Sequence, residues 1–340
     1  MEKHHITLNL WKIFLRIFDN RWNGLHGIGR FSAELMKRLS GFQPIEIGGK
    51  PSSPIDPWRV GLYLRRIRPK FYFSPGYNVP NFGGCKFAFT LHDLNHIFIN
   101  ENGGLLKERY YSYVLRPALN QAEVVFTVSE FSKRQILEWS RVEPSKVVVV
   151  QPGISDEFST VGRVYSASRP YFLFVGSCKA HKNLPRILAA LKKSRLDEQF
   201  DFIATGKASK QIARTVSGLN ISGVQFIGPT SDAELAALYR GACGLVFTSL
   251  YEGFGLPIIE SMACGTPVLT SDAASMPEVS GGAAIVVNPY DIDAIAHGLV
   301  VLACDRARRA DLRRLGLMWA RQFSWEKTAA EVGAAIDVVS

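Results

Sequence analysis

Residues Leu250–Thr270 read LYEGFGLPIIESMACGTPVLT, and this stretch governs how the rest of the chain is understood. Glu252 lies in a segment broken by Gly253 and Gly255, where the backbone can adopt dihedrals closed to other residues and turn N–H groups toward a ligand. Pro257 then opens an apolar-periodic run through Ile258, Ile259, Met262 and Ala263. Proline suits a first helical turn because its missing N–H would have no helical partner there. The pattern predicts a helix whose N-terminus faces the glycine loop, a point where free amides and the helix dipole favour phosphate or sugar hydroxyls. Glu260 follows Glu252 by eight residues, so two carboxylates approach one place, one from the loop and one from inside the helix. Taken singly, each glutamate is equally well explained without a ligand. Gly-rich strand-to-helix turns are general in α/β proteins, and an acidic first turn stabilises a helix by itself.

The chain has 340 residues, more than one hydrophobic core usually organises, which points to two domains. With 47% hydrophobic and 21% charged residues the composition is that of a folded globular protein. The five cysteines are scattered, without a C-x-x-C pair, which argues against a disulfide framework and a zinc site and fits a reducing, cytoplasmic setting. There is no long apolar run, and Lys12 and Arg16 interrupt the N-terminal apolar stretch, so neither a spanning helix nor a signal peptide is expected. The net charge of +10 is uneven: residues 1–160 carry 21 Lys and Arg against 14 Asp and Glu, residues 161–340 carry 19 against 16. A basic first half suits nucleic acid, anionic lipid or a phosphorylated acceptor. No nucleic-acid-binding signature accompanies it, which leaves lipid or phosphate and no nucleic-acid partner.

Taken in order, His5 to Leu10 reads as a strand, and Trp11, Phe14, Leu15 and Phe18 fall at helical spacing. That face is either core packing or an interfacial membrane segment. Gly24 to Phe31 is a glycine-rich turn entering a helix, and a G-x-G after a strand is by itself weak evidence for anion binding. The run 59–70 carries Arg59, Arg65, Arg66, Arg68 and Lys70, either a solvated face or a phospholipid contact. Strands are expected at 71–74, 86–91, 124–128 and 146–150, the second running into His92-Asp93 beyond its carboxyl end, where α/β sheets gather ligands. A histidine there serves structure or a site. Residues 156–170 read as linker. Strands at 171–175, 201–204, 224–227, 244–247 and 267–270 alternate with helices, one of them opened by a Ser231/Glu234 capping box. This alternation is the pattern of doubly wound parallel sheets. The loop Gly176–Asn183 joins strand to helix as a phosphate-binding architecture would.

SLYEGFGLPIIESMACGTPV, with its E-x7-E spacing, resembles the donor-site signature of glycosyltransferase family 4, the retaining enzymes of GT-B architecture. TVSEFSKRQI, Lys182-Asn183, Pro277-Glu278 and Gly281-Gly282 are also similar to that family, and the likeness runs over nearly the whole chain. The resemblance implies two Rossmann-like doubly wound domains facing across a cleft. These would be an acceptor-binding domain at 1–160, a nucleotide-sugar domain at 168–320 and a helix at 321–340 returning to the first domain. It implies that Glu252 contacts the donor sugar and that Phe254, Gly255 and Leu256 offer backbone N–H groups. Glu260 would hold the ribose, and His92 would line the cleft near the transferred sugar. Gly27, Gly29 and Arg30 would border acceptor and donor phosphates. Ser177, His181, Lys182 and Asn183 would form the diphosphate loop, with Lys182 stabilising the leaving group alongside the helix after Pro257. His181 stands where the family commonly has arginine; Lys179 or Lys207 is then the compensating charge.

The implied reaction is hexose transfer with retention by a front-face route, the departing diphosphate oxygen helping to deprotonate the acceptor hydroxyl. No Asp-x-Asp clamp is present, so no obligatory metal or cofactor is expected. From overall resemblance, GDP-mannose is the expected donor and a lipid-linked oligosaccharide of surface-polysaccharide or lipopolysaccharide assembly the acceptor. A peripheral contact with anionic membrane on the cytoplasmic face of the inner membrane accompanies that expectation. The alternatives are a UDP-hexose or other activated sugar, or a glycan- or nucleotide-binding scaffold without turnover, which the substitution at His181 would favour.

Overall fold

Short runs of aromatic and β-branched residues, in the central strands apolar at successive rather than alternate positions, form strands covered on both faces, while the edge strand Val224–Gly228 alternates. In the computed structural model, which describes residues 15–22, 24, 27–99 and 104–340, these runs build two all-parallel six-stranded sheets. The first sheet contains β1 (Arg16–Phe18), β2 (Phe42–Pro44), β3 (Phe71–Ser74), β4 (Lys86–Thr90), β5 (Val124–Thr127) and β6 (Val147–Val149), in the order β2-β1-β3-β4-β5-β6. Its core joins Ile17, Tyr72, Phe89 and Val125 from the strands to Val60, Leu64, Leu115 and Ile136 from the helices. Residues up to Gly153, together with Trp325–Ser340, form one compact unit; Ile154–Ser324 form the other.

The helical spacing read across residues 11–18 gives way to a strand where it can be seen. Arg16–Phe18 pairs in parallel with both Phe42–Pro44 and Phe71–Phe73. Phe18 is fully buried, its ring edge-on to Phe73 at 5.5 Å, and Leu15 packs against the core. These two side chains therefore form no membrane face. Trp11, Phe14 and the strand expected at 5–10 lie outside the described residues. The helix Gly27–Arg38 begins within the glycine-rich segment itself, so Gly27, Gly29 and Arg30 are its first turn.

The closing helix Trp325–Val339 packs in the first unit. Trp325 meets Phe31 edge-on at 6.0 Å, the Thr328 hydroxyl donates to the Gln151 carbonyl at 2.6 Å, and Arg38 pairs with Glu326 at 2.9 Å.

The second sheet contains β7 (Tyr171–Phe174), β8 (Asp201–Thr205), β9 (Val224–Gly228), β10 (Gly244–Phe247), β11 (Val268–Ser271) and β12 (Ile285–Val287). Their order, β12-β11-β10-β7-β8-β9, is that of a Rossmann sheet. The capping box opening the helix Asp232–Gly241 is formed in full.

The stretch 156–170 is not a free linker but packs within the second unit. Phe158 lies edge-on to Tyr239 at 6.0 Å, and the Tyr165 N–H donates to the Ala237 carbonyl at 2.9 Å. The Arg240 guanidinium donates to the carbonyls of Glu157, Ser159 and Arg163 at 3.3, 3.0 and 2.8 Å. One arginine thus satisfies the turn 157–163, EFSTVGR, which carries no regular pattern of its own. Among the described residues no helix is long and apolar enough to cross a membrane.

Candidate functional site

In the second unit the winding of the sheet reverses between β7 and β10, and in such sheets a crevice opens beyond the carboxyl ends of the two strands flanking the reversal. The loop after β7 is Val175–Asn183; the loop after β10 is Thr248–Gly255. Topology therefore brings together Lys182 and Glu252, which lie far apart in the chain.

Lys182 ends a single 3₁₀ turn, Ala180–Lys182, ahead of the helix Leu184–Lys193. Its stem runs past Gly176, whose φ of +144° is in a region that side-chain-bearing residues rarely adopt. The Lys182 ammonium stands 2.6 Å from Glu252 Oε1 and 4.9 Å over the Phe247 ring. With the side chains 15% and 16% exposed, the ion pair is largely shielded from solvent. The approach is close but not aligned as a hydrogen bond, so Oε1 keeps acceptor capacity.

The Glu252 loop is held from beneath. The buried Ser275 hydroxyl lies 3.0 Å from the Glu252 carbonyl and 2.7 Å from the Phe254 carbonyl, placed to donate to either. Phe254 is buried edge-on to Phe323 at 5.9 Å. Gly255 caps the helix Leu256–Ala263 in the left-handed region at φ +109°, which explains a glycine directly before the helix. Glu260 is buried inside that helix, and the Tyr239 hydroxyl donates to its Oε2 at 3.1 Å.

The remaining residues of the β7 loop divide by exposure. Ser177 is exposed on the rim. His181 is buried rather than presented as a surface cation would be, and its carbonyl accepts from the Leu250 N–H at 2.7 Å, tying the two loops together. Asn183, expected among the donor-binding residues, ties the two loops together within the protein. It is buried in the left-handed conformation at φ 62°, and its amide donates to the carbonyls of Thr248 and Pro289 at 3.1 and 2.7 Å. Its Oδ1 accepts from Arg186 at 3.0 Å, so the whole side chain is engaged within the protein. No group of His, Cys, Asp or Glu side chains suited to a metal occurs among the described residues.

The first unit has its own reversal, between β1 and β3. The sequence reading missed what gathers there. Arg21 pairs with Asp19 at 2.6 Å and Asp56 at 2.8 Å. The Tyr72 hydroxyl and the Asn78 amide both donate to Asp19, at 2.8 and 2.5 Å, and the Trp22 indole N–H donates to Asn78. Burial opposes the charge of Arg21, but hydrogen bonds to Asp19 and Asp56 outweigh it and raise its pKa above the usual value. Burial, followed by the negative charge of Asp19, pushes the Tyr72 hydroxyl far above its ordinary range. The network fixes the chain from Asp19 to Trp22, which enters the glycine segment. The only local signal was the D-x-R immediately after a buried strand.

His92, beyond β4, places Nε2 at 2.9 Å from the Pro75 carbonyl, which can only accept, so that nitrogen carries a proton. Its ring also meets Phe31 at 5.0 Å, linking it to the helix that Gly27, Gly29 and Arg30 begin. A Cβ on Gly29 would come within 2.2 Å of the Gly24 carbonyl oxygen, so only glycine lets that segment close onto the first helical turn.

Comparison with known proteins agrees with this architecture. Residues 17–158 match the family described as Glycosyltransferase Family 4, and residues 164–316 match Glycosyl transferases group 1. The chain is 28% identical to O-antigen chain mannosyltransferase B of Escherichia coli, over 90% of this chain and 94% of that protein. It is also 28% identical to the serotype-specific mannosyltransferase WbdA of Escherichia coli over 75% of this chain, although it spans only 33% of that longer protein. Among solved structures, the Anabaena protein HepE, in complex with UDP and glucose, superposes with a TM-score of 0.76 at 14% identity, covering 96% of this chain and all of that one. The chain is therefore a GT-B-fold glycosyltransferase acting on a nucleotide-sugar donor, related to the family 4 and group 1 enzymes and, at low identity, to bacterial mannosyltransferases.

Proposed function

We propose that the protein transfers mannose, with retention of configuration, from GDP-mannose to a lipid-linked oligosaccharide or related acceptor in surface-polysaccharide assembly. The observation that carries the transfer chemistry is the Lys182–Glu252 pair at the reversal of the Rossmann sheet, one cation and one carboxylate 2.6 Å apart where a ligand would lie. The choice of mannose draws on the mannosyltransferases among the relatives.

On donor binding, the diphosphate draws Lys182 from Glu252, and Glu252 turns to the sugar hydroxyls. Backbone amides of Phe254, Gly255 and Leu256 complete the cradle, and Glu260, held by Tyr239, accepts from the ribose. As the glycosidic bond breaks, negative charge grows on the diphosphate, and Lys182 is placed to stabilise that charge more than it stabilises the bound donor. The departing oxygen takes the proton of the acceptor hydroxyl on the same face of the sugar, so no enzyme carboxylate forms a covalent intermediate.

The test incubates the enzyme with radiolabelled GDP-mannose and a lipid extract from polysaccharide-producing cells. Label should enter the organic phase and be released by an α-mannosidase; label released only by a β-mannosidase would contradict retention. The bound UDP and glucose of the Anabaena structure favour one second reading, a UDP-hexose donor. That reading wins if UDP-glucose supports transfer where GDP-mannose does not.

A further inference from the structure

The helix Asp56–Ile67 buries Val60 and Leu64 in the core of the first unit, along with Pro57 and Gly61. With about 100° of rotation per residue, the opposite pole of the helix falls on Ile55, Trp58 and Leu62. These are 61%, 47% and 62% exposed, where a helix facing only water would carry polar side chains. Phe82, 38% exposed, lies on the flank of the helix rather than on this pole. It packs against Gly61, where an added Cβ would lie 2.4 Å from its carbonyl oxygen and 3.3 Å from its ring.

Arginines flank this pole. On the same helical wheel Arg65 lies on one side of Trp58 and Leu62, with Arg59 and Arg66 on the other, and exposed Arg68 and Lys70 follow the helix. Between Ile47 and His92 the one acidic residue is Asp56, which is buried and ion-paired with Arg21 at 2.8 Å and Arg59 at 3.5 Å, so Arg65, Arg66, Arg68 and Lys70 are the cations this face presents. Glu46 stays at the margin, where its backbone N–H is held by the Tyr63 hydroxyl at 3.3 Å. The face is therefore apolar at its centre and cationic along its edges, and an isologous pairing of two copies would bring arginine toward arginine.

We propose that this face docks the protein onto a bilayer surface rich in anionic headgroups, with Trp58 and Leu62 entering the interface and the arginines meeting lipid phosphates. The surface lies apart from Lys182 and Glu252 in the chain, and the docking does not depend on which sugar or acceptor is used.

The test measures cosedimentation of the full chain with phosphatidylcholine vesicles, with and without phosphatidylglycerol, across a salt series. Binding should require phosphatidylglycerol and weaken as salt rises. Arg65→Gln with Arg66→Gln should lower the partition coefficient about thirtyfold, from two charges at the usual worth of a basic residue near such a surface. Trp58→Ser with Leu62→Ser should lower it by about tenfold or more. Nitroxide-labelled lipid should quench a tryptophan signal in the parent that is missing in Trp58→Phe. All four side chains changed to Gln or Ser are exposed, so circular dichroism should be unchanged. Equal binding to both vesicle types, absence of binding, or full binding by both double variants would overturn the proposal. So would a self-association or acidic-protein contact that the variants abolish while vesicle binding is undetectable.

Discussion

Replacing Lys182 tests the chemistry most sharply, because its surroundings set both the expected loss and the control. The ammonium makes two contacts in the free protein, with Glu252 at 2.6 Å and over Phe247 at 4.9 Å. Glu252 is 16% exposed and can regain water when its partner is removed, so Lys182→Ala should cost only about 1 kcal/mol of folding stability, the scale of a partly exposed ion pair. The loss in turnover should be larger. A hydrogen bond to a charged group is worth about 1.5–3 kcal/mol, or roughly ten- to a hundredfold in rate. Because the diphosphate is anionic in the bound donor and still more so in the transition state, the loss should appear in both KM and kcat, with the larger share in kcat. Lys182→Met keeps the stem beside Gly176 while removing the charge, and should lose the same rate with even less effect on stability. Steady-state transfer kinetics, read beside thermal melts without donor, separate the two effects. A folded Lys182→Met enzyme with parental kcat would refute the role assigned to this charge.

Glu252→Gln should depress kcat, since sugar contacts orient the anomeric carbon, whereas Glu260→Gln should chiefly raise KM through a contact equal in ground and transition states; matched kcat losses at unchanged KM would show the roles are divided wrongly. Arg21→Ala leaves Asp19 buried without its cation and Asp56 with only the longer contact to Arg59 at 3.5 Å, and should cost about 3–5 kcal/mol in urea denaturation, a loss that a stability equal to the parent's would contradict. Asn183→Ala removes bonds to Thr248 and Pro289 and should lower the melting temperature in the absence of any ligand, by the roughly 1–3 kcal/mol of stranded carbonyl partners. Transfer should survive chelators, and restoration by added Mg²⁺ after treatment with chelator would overturn the metal-independent reading.

Much of the fold was legible because buried parallel strands announce themselves as continuous apolar runs, as at Tyr171–Phe174 and Gly244–Phe247. The same property left Arg16–Phe18 open between helix and strand, since two apolar residues and an arginine fit helical spacing as well as a strand buried on both faces. The glycine loop and helix of Leu250–Thr270 were readable from local chemistry, glycine before proline before an apolar face. The contact of Lys182 with Glu252 follows from strand order, which periodicity alone does not contain. Asn183 shows a second limit: its identity fits a ligand site and does not show that its left-handed backbone and inward amide tie the loops together. Asp19, Arg21, Asp56 and Asn78 come from three separate segments, so the network they form had no local pattern to betray it. The apolar pole of Asp56–Ile67 was hidden for the opposite reason, since exposed Trp58 and Leu62 look like core until the buried face is known.

The claim at the centre is that the reversal of the second sheet binds the diphosphate of a mannose-bearing guanosine nucleotide, and differential scanning of the free protein against a panel of nucleotide sugars tests it most directly. GDP-mannose at about one hundred times its dissociation constant should add roughly 2.7 kcal/mol to stability, and GDP should retain part of that gain. Lys182→Met should lose a measurable part of it while melting near the parent without ligand. Stabilisation by UDP-glucose with none by GDP-mannose, or an equal GDP-mannose shift in parent and Lys182→Met, would contradict the account.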